Sequence, residues 1–185
     1  MASYPGVPVV LDPVLAASGG DALADDATRR ALRDALLPLA TVVTPNLGEA
    51  GALLEREVGD VAAMEDAGRA LVALGARAAL VKGGHLVGDP VDVLVERHGD
   101  GDGDGDGGGD AREGGAGEGV RVRRLVSDRV AGELRGTGDL LAVTIAAGLA
   151  GGVPVGEAVE RARERVRAAI ARGVAFAGTR VAPLR

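Results

Sequence analysis

Four places in this sequence combine residue types that handle phosphates and protons. The first is Arg135-Gly136-Thr137-Gly138-Asp139, directly ahead of the apolar run LLAVTIAAGLA. Glycines at a helix start let backbone N–H groups approach a ligand closely, and the helix dipole favours negative charge there. Such a start is an anion hole. An aspartate in its first turn can take a proton from a substrate hydroxyl while the amides hold a phosphoryl group. The same residues also make an ordinary helix start, with Thr137 as the N-cap and Asp139 as a first-turn acid matched to the dipole. Spacing alone leaves both readings open.

Asn46-x-x-Glu49 follows the segment TVVTP. It fits a capping box, with Asn46 at the N-cap and Glu49 at N3. It equally fits a carboxylate at the end of a strand, placed to orient Mg²⁺ through water beside phosphates. Asp12 follows VPVVL and precedes Pro13, where it is either a turn former or a second acid at a strand end. Lys82 is the only lysine among 21 basic residues, and Gly83 and Gly84 follow it. A lone lysine in an arginine-rich chain reads as a phosphate contact more readily than as a solvated surface charge.

The elements that must position these groups follow from hydrophobic pattern. Val7–Leu11, Thr41–Thr44 and Ala78–Lys82 are short, β-branched apolar runs suited to buried parallel strands. Between them, Asp25–Leu39, Asn46–Leu54 and Ala62–Leu74 carry helical spacing, the last ended by Gly75. Val91–Arg97 alternates and is expected to form a hairpin with Val120–Val126. Thr137–Ala150 and Val155–Ala177 close the chain as helices, the second with Glu160 and Glu164 set against Arg161 and Arg165. This order predicts one α/β domain over 1–185, with a mostly parallel sheet and helices on both faces. Ligands of such sheets bind outside the carboxyl ends of the strands, where all four candidate groups fall.

Composition narrows the function. Apolar residues make up 46% of the chain but aromatics only 1%, so the core is aliphatic and platforms for stacking nucleic-acid bases are excluded. The chain has no cysteine, hence no thiolate nucleophile or cysteine-ligated zinc. His85 and His98 stand apart from any ligand spacing. The net charge of −6 resides in a Gly/Asp-rich insert at 99–119, and the remainder is neutral, without a basic footprint for nucleic acid or anionic membrane. Neither a targeting segment nor a membrane span is predicted. The insert lacks apolar residues beyond alanine and is expected to be a disordered loop. Asp102, Asp104, Asp106, Gly107 and Glu113 match the EF-hand calcium pattern, but a Gly/Asp tract meets it by chance, and Gly109 takes the place of the packed aliphatic.

Taken together, LDPVLAASGG, VVTPNLGEAGAL, ALVKGGHL and LRGTGDLLAVTIAAGLAGG resemble, in this order, the hydroxymethylpyrimidine/phosphomethylpyrimidine kinases of the ribokinase-like superfamily. The resemblance implies ATP-dependent phosphorylation of hydroxymethylpyrimidine and its monophosphate in thiamine biosynthesis, with ATP and Mg²⁺ as cofactors. It implies Asp139 at the catalytic-base position and Gly136, Thr137 and Gly138 as the anion hole. Lys82 matches the lysine of the KGGH segment, Asn46 and Glu49 the Mg-phosphate motif, and Asp12 the aspartate near metal and phosphates. Asp139 departs from the pattern: these kinases usually carry cysteine there, whereas pyridoxal and sugar kinases of the superfamily carry aspartate. Pyridoxal kinase is therefore the alternative enzyme, and a non-catalytic nucleotide-binding module the alternative of another class. The resemblance also implies a longer domain, with first strands and substrate-contacting residues ahead of the DPV strand. The chain is thus expected to be an N-terminally truncated, C-terminal part of one such domain, lacking the N-terminal strands. A sheet edge left open in this way predicts self-association, and with no targeting segment visible a cytoplasmic protein is expected.

Overall fold

The computed structural model describes residues 6–15, 24–84, 86, 88–98, 119–130, 136–172, 174–176 and 179–181. Residues 99–118 of the insert, together with His85 and Arg135, lie outside the described residues. Val10–Leu11 (β1), Val42–Val43 (β2) and Ala78–Lys82 (β3) pair in parallel, while β3, Val91–Arg97 (β4) and Val120–Val126 (β5) pair antiparallel. The sheet order is β1-β2-β3-β4-β5. The sheet is therefore mixed. Parallel pairing, expected for most of it, holds for the first three strands; the expected hairpin supplies the antiparallel half. Strand-like bonding runs past the short β1 and β2: Thr41 N–H donates to Val9 O at 2.8 Å and Thr44 N–H to Leu11 O at 2.9 Å.

Side chains alternate faces along a strand, so each central strand feeds two cores. Val43, Ala79, Val81, Val93 and Val95 are buried on one face, against helices Leu47–Leu54 (α2) and Val61–Ala73 (α3) and against Leu32 and Leu37 in the turns that follow helix Asp26–Ala31 (α1). Val42, Ala78, Leu80 and Leu94 are buried on the other, against Thr137–Ala150 (α4) and Val155–Arg172 (α5). Burial on both sides explains why β3 reads as a continuous apolar run. It also explains how 1% aromatic content suffices. Each valine or leucine removed from water stabilises by about 1.5–3 kcal/mol, and these helices pack close through small residues. At Gly148 of α4, an added Cβ would stand 3.1 Å from Ala158 Cβ of α5.

Two helices depart from expectation. The 25–39 segment is α-helical only over Asp26–Ala31, then widens to a π turn at Leu32–Leu36 and tightens to a 3₁₀ turn at Leu37–Leu39. Pro38, with no N–H, cannot continue α-helical bonding, and the change of pitch leaves Leu37 fully buried. Helix α5 stops at Arg172 instead of Ala177, and Val174–Phe176 (β6) pairs antiparallel with Thr179–Val181 (β7). The β-branched Val174 begins the strand. On α5 an i, i+4 ion pair joins Arg161 to Glu157, while Glu160 meets Arg123 of β5 at 2.8 Å.

Gly68 in the middle of α3 is set by close approach. A Cβ there would overlap Val95 Cγ2 and stand 3.2 Å from Val95 Cβ. Replacing a helical glycine by alanine ordinarily gains about 1 kcal/mol. Overpacking against a buried, stiff valine costs about 1–3 kcal/mol and decides the sign. Gly68→Ala is expected to lower the melting temperature; a rise on thermal denaturation would contradict this packing.

Candidate active site

The alternation that builds the second core also places the polar groups. Val10, Val42 and Leu80 face α4 and α5, and two residues beyond each, at or just past the carboxyl ends of the strands, come Asp12, Thr44 and Lys82. Asp12 Oδ1 accepts from Thr44 Oγ1 at 3.0 Å and from Lys82 Nζ at 3.3 Å. The Asp12 and Lys82 side chains are only 17% and 19% exposed, so the pair is shielded yet reachable. Thr44 is fully buried. Sequence reasoning missed Thr44 as a site residue. Its signal was a hydroxyl at the end of a buried apolar strand, where such a group needs a hydrogen-bond partner.

Asn46 and Glu49 arrive at the same place through the start of α2. Asn46 Oδ1 accepts the Glu49 N–H at 2.9 Å, and Glu49 Oε2 accepts the Asn46 N–H at 2.7 Å. The capping box is therefore present, and the chain ahead of it is tied to β3 by Lys82 N–H donating to Pro45 O at 2.8 Å. Capping does not exhaust Glu49. Its side chain is buried, and burial raises its pKa above the ordinary 4.5; the Asn46 amide and the Lys82 charge oppose that shift, and the Asp12 charge adds to it. Glu49, Lys82 and Asp12 thus share one electrostatic neighbourhood.

Helix α4 supplies the remaining side. Its N-cap is Gly136, at φ 80°, and no side chain caps it. This overturns Thr137 as the N-cap: Gly136 takes the left-handed conformation that other residues resist, and Thr137 becomes the first helical residue. The contrast within the fold is informative, because α1, α2 and α3 are each capped by an Asp or Asn side chain. The first N–H groups of any helix lack intrahelical acceptors. At α4 they are left without a side-chain cap beside two charged groups: a Cβ built at Gly138 would stand 3.6 Å from both Asp12 Oδ2 and Lys82 Nζ. Asp139 is exposed and reaches back over the helix start, its Oδ2 4.0 Å from where a Gly136 side chain would begin.

Asp12, Asn46, Glu49, Lys82 and the 136–139 segment are thus gathered at the carboxyl ends of β1, β2 and β3. The donors suit an anion: one ammonium and the amides of a helix start. The acids suit a cation held at arm's length. Among the described residues no three His, Cys, Asp or Glu side chains are gathered to hold a metal directly. Two carboxylates beside an anion site do match the way Mg²⁺ is held, keeping its waters and bridging to phosphates.

A family model described as phosphomethylpyrimidine kinase matches residues 1–106 and 107–184. The chain is 40% identical over 143 residues to the hydroxymethylpyrimidine/phosphomethylpyrimidine kinase of Mycobacterium leprae, covering 77% of this chain and 46% of that one. It is 46% identical over 89 residues to the protein of that name from Streptomyces coelicolor, covering 48% and 33%. The chain therefore spans less than half the length of these two relatives. Among solved structures it is similar to a pyridoxal kinase of Bacillus subtilis in complex with ADP, at 30% identity and a TM-score of 0.71, covering 94% of this chain and 57% of that one. Among the described residues no helix is long and apolar enough to cross a membrane.

The raised Glu49 pKa has a measurable sign. A carboxyl that keeps its proton more tightly when folded contributes fully below its unfolded value, near 4.5, and less as pH rises through the folded value. Glu49→Gln retains an acceptor for the Asn46 N–H and removes the buried charge. It is expected to match or exceed the parent in melting temperature at neutral pH, with the difference shrinking as pH falls toward 4.5. A variant that is less stable than the parent at neutral pH would contradict this account of the site.

Proposed function

Because the chain belongs to the phosphomethylpyrimidine kinase family, we propose that it carries the phosphate-handling part of an ATP-dependent kinase. The substrates are hydroxymethylpyrimidine and its monophosphate, in thiamine biosynthesis. Residues 1–185 form part of one ribokinase-like domain. The observation that carries this reading is the meeting of Lys82 and Asp12 with the uncapped start of α4 at Gly138. A transferring phosphoryl group needs positive charge and preorganised donors more than covalent chemistry.

In this reading the amides of Gly136, Thr137 and Gly138 hold the transferring phosphoryl group, and Lys82 neutralises its charge. Asp139 accepts the proton of the substrate hydroxyl as that oxygen bonds to the γ-phosphorus, the bond to the bridging oxygen breaks, and ADP departs. Mg²⁺, when bound, neutralises charge on the nucleotide phosphates. Glu49 and Asp12 would hold it through water, with Asn46 fixing the Glu49 carboxylate. The protein acts in the cytoplasm and self-associates: the described sheet ends at β1, where Val7 and Val9 are exposed, and open edges recruit further strands.

A second reading, pyridoxal kinase, is supported by aspartate at 139 and by the similarity to a pyridoxal kinase structure. Calorimetric titration with ATP and Mg²⁺, followed by measurement of ADP release with hydroxymethylpyrimidine, its monophosphate or pyridoxal, tests both. Turnover of the pyrimidines is expected. Preference for pyridoxal would favour the second reading, and ATP binding without turnover of any of them a non-catalytic nucleotide-binding module. With turnover established, Asp139→Asn is expected to reduce it by about 10²–10⁴ while sparing ATP affinity. Unchanged turnover with a slightly lower melting temperature would make Asp139 a helix-start acid only.

A further inference from the structure

The residues that follow Lys82 are held by an arginine that neither the family resemblance nor the site description uses. Between β3 and β4 the described residues are Gly83, Gly84, Leu86 and 88–90. Gly83 is pinned at its start: a Cβ there would overlap the Val91 carbonyl oxygen and stand 2.8 Å from Met64 Cε. Its N–H donates to Asp92 Oδ1 at 3.0 Å, and its carbonyl accepts the Leu86 N–H at 2.9 Å. Asp92 is held in turn by Arg163 of α5, at 2.8 Å. Across the turn lies Arg129, shortly after β5. Its guanidinium donates to Gly84 O at 3.2 Å, to Leu86 O at 2.7 Å, and to Gly88 O at 3.0 and 2.7 Å.

One planar cation thus gathers three carbonyls from a single turn. The five N–H donors of a guanidinium form a fixed fork, which a lysine ammonium cannot reproduce. Gly88 sits at φ 95°, a conformation that needs glycine and that turns its carbonyl to the fork. Lys82 lies one residue before the turn, and Arg129 lies seven residues before Gly136.

The geometry points to Arg129 as a positioning residue. By gathering the carbonyls of Gly84, Leu86 and Gly88 it holds Lys82 against Asp12, in place for a phosphate. Arg129 touches no reacting group; it acts through the turn. This inference rests on the phosphate-binding reading of Lys82, but its first tests need no nucleotide.

Arg129 is exposed, so its substitution spares the core. In Arg129→Ala, amide hydrogen exchange at Gly83 and Leu86 is expected to accelerate about tenfold or more, with the amides of α3 and α4 unchanged. The Asp12 carboxyl ¹³C resonance, which senses the Lys82 ammonium, is expected to move. ATP affinity is expected to fall about tenfold, and Arg129→Lys is not expected to restore it. Unchanged exchange at the turn, or faster turn exchange with an unmoved Asp12 resonance, would overturn the inference. So would acceleration spread evenly over the fold, which marks a merely structural residue. ATP affinity left intact despite a loosened turn would also overturn it. If the parent chain fails to bind ATP, the phosphate reading of the site falls, while the exchange and ¹³C measurements still decide whether Arg129 positions Lys82.

Discussion

The Asp12 carboxylate and the Lys82 ammonium, 70 residues apart in sequence, meet at 3.3 Å. They can do so only if β1 and β3 flank β2 in parallel and in register, so that residues of the same parity emerge on one face. That requirement fixes the first half of the sheet, the crossover helices between its strands and the side on which α4 packs. Breaking one partner of a largely buried ion pair costs about 3–5 kcal/mol, because a charge is left without compensation. The pair therefore serves the fold as well as the site. Thr44, buried beneath it, orients the carboxylate by donating to the same oxygen.

Around that pair the fold carries features that local stability alone would not select. Glu49 is buried at a cost that its cap bond to Asn46 does not require, since glutamine would cap as well. Helix α4 starts on a left-handed glycine without a side-chain cap, while α1, α2 and α3 each have one. Uncapped donors and a desolvated acid are what a phosphate and its counter-cation would complete. The turn behind Lys82 adds a third such feature, an arginine spent on three backbone carbonyls.

Much of this was legible before the structure. Ala78–Lys82, Val91–Arg97, Val120–Val126 and Thr137–Ala150 have the bounds their patterns predict. β3 is a continuous apolar run buried on both faces, β4 starts in alternation, and α4 is a long apolar run opened by Gly136, so local pattern and tertiary demand agree. Asp12, Asn46, Glu49 and Lys82 come together because strand ends, which can be read from the sequence, meet at one edge of the sheet, and Gly138 joins them from a helix start. Other features were not. The strands β1 and β2 are shorter than their apolar runs, because flanking residues extend beyond the paired segment. The π turn at Leu32–Leu36 reflects how Pro38 and the core share the last turns of a helix. Thr137 yielded the N-cap to Gly136, since backbone conformation outranked side-chain preference. Thr44 and Arg129 depend on partners remote in sequence, which no local pattern encodes.

In the reading proposed above, Lys82 and the start of α4 form one phosphate-binding site. The amide spectrum of the chain titrated with ADP and Mg²⁺ decides this. The resonances of Gly136, Thr137 and Gly138 are expected to shift with saturation, and Lys82→Ala to weaken the binding that moves them. Shifts confined to another surface, such as the cavity between α1 and α2 lined by Arg29, Arg30 and Arg33, with the α4 start unmoved, would contradict it.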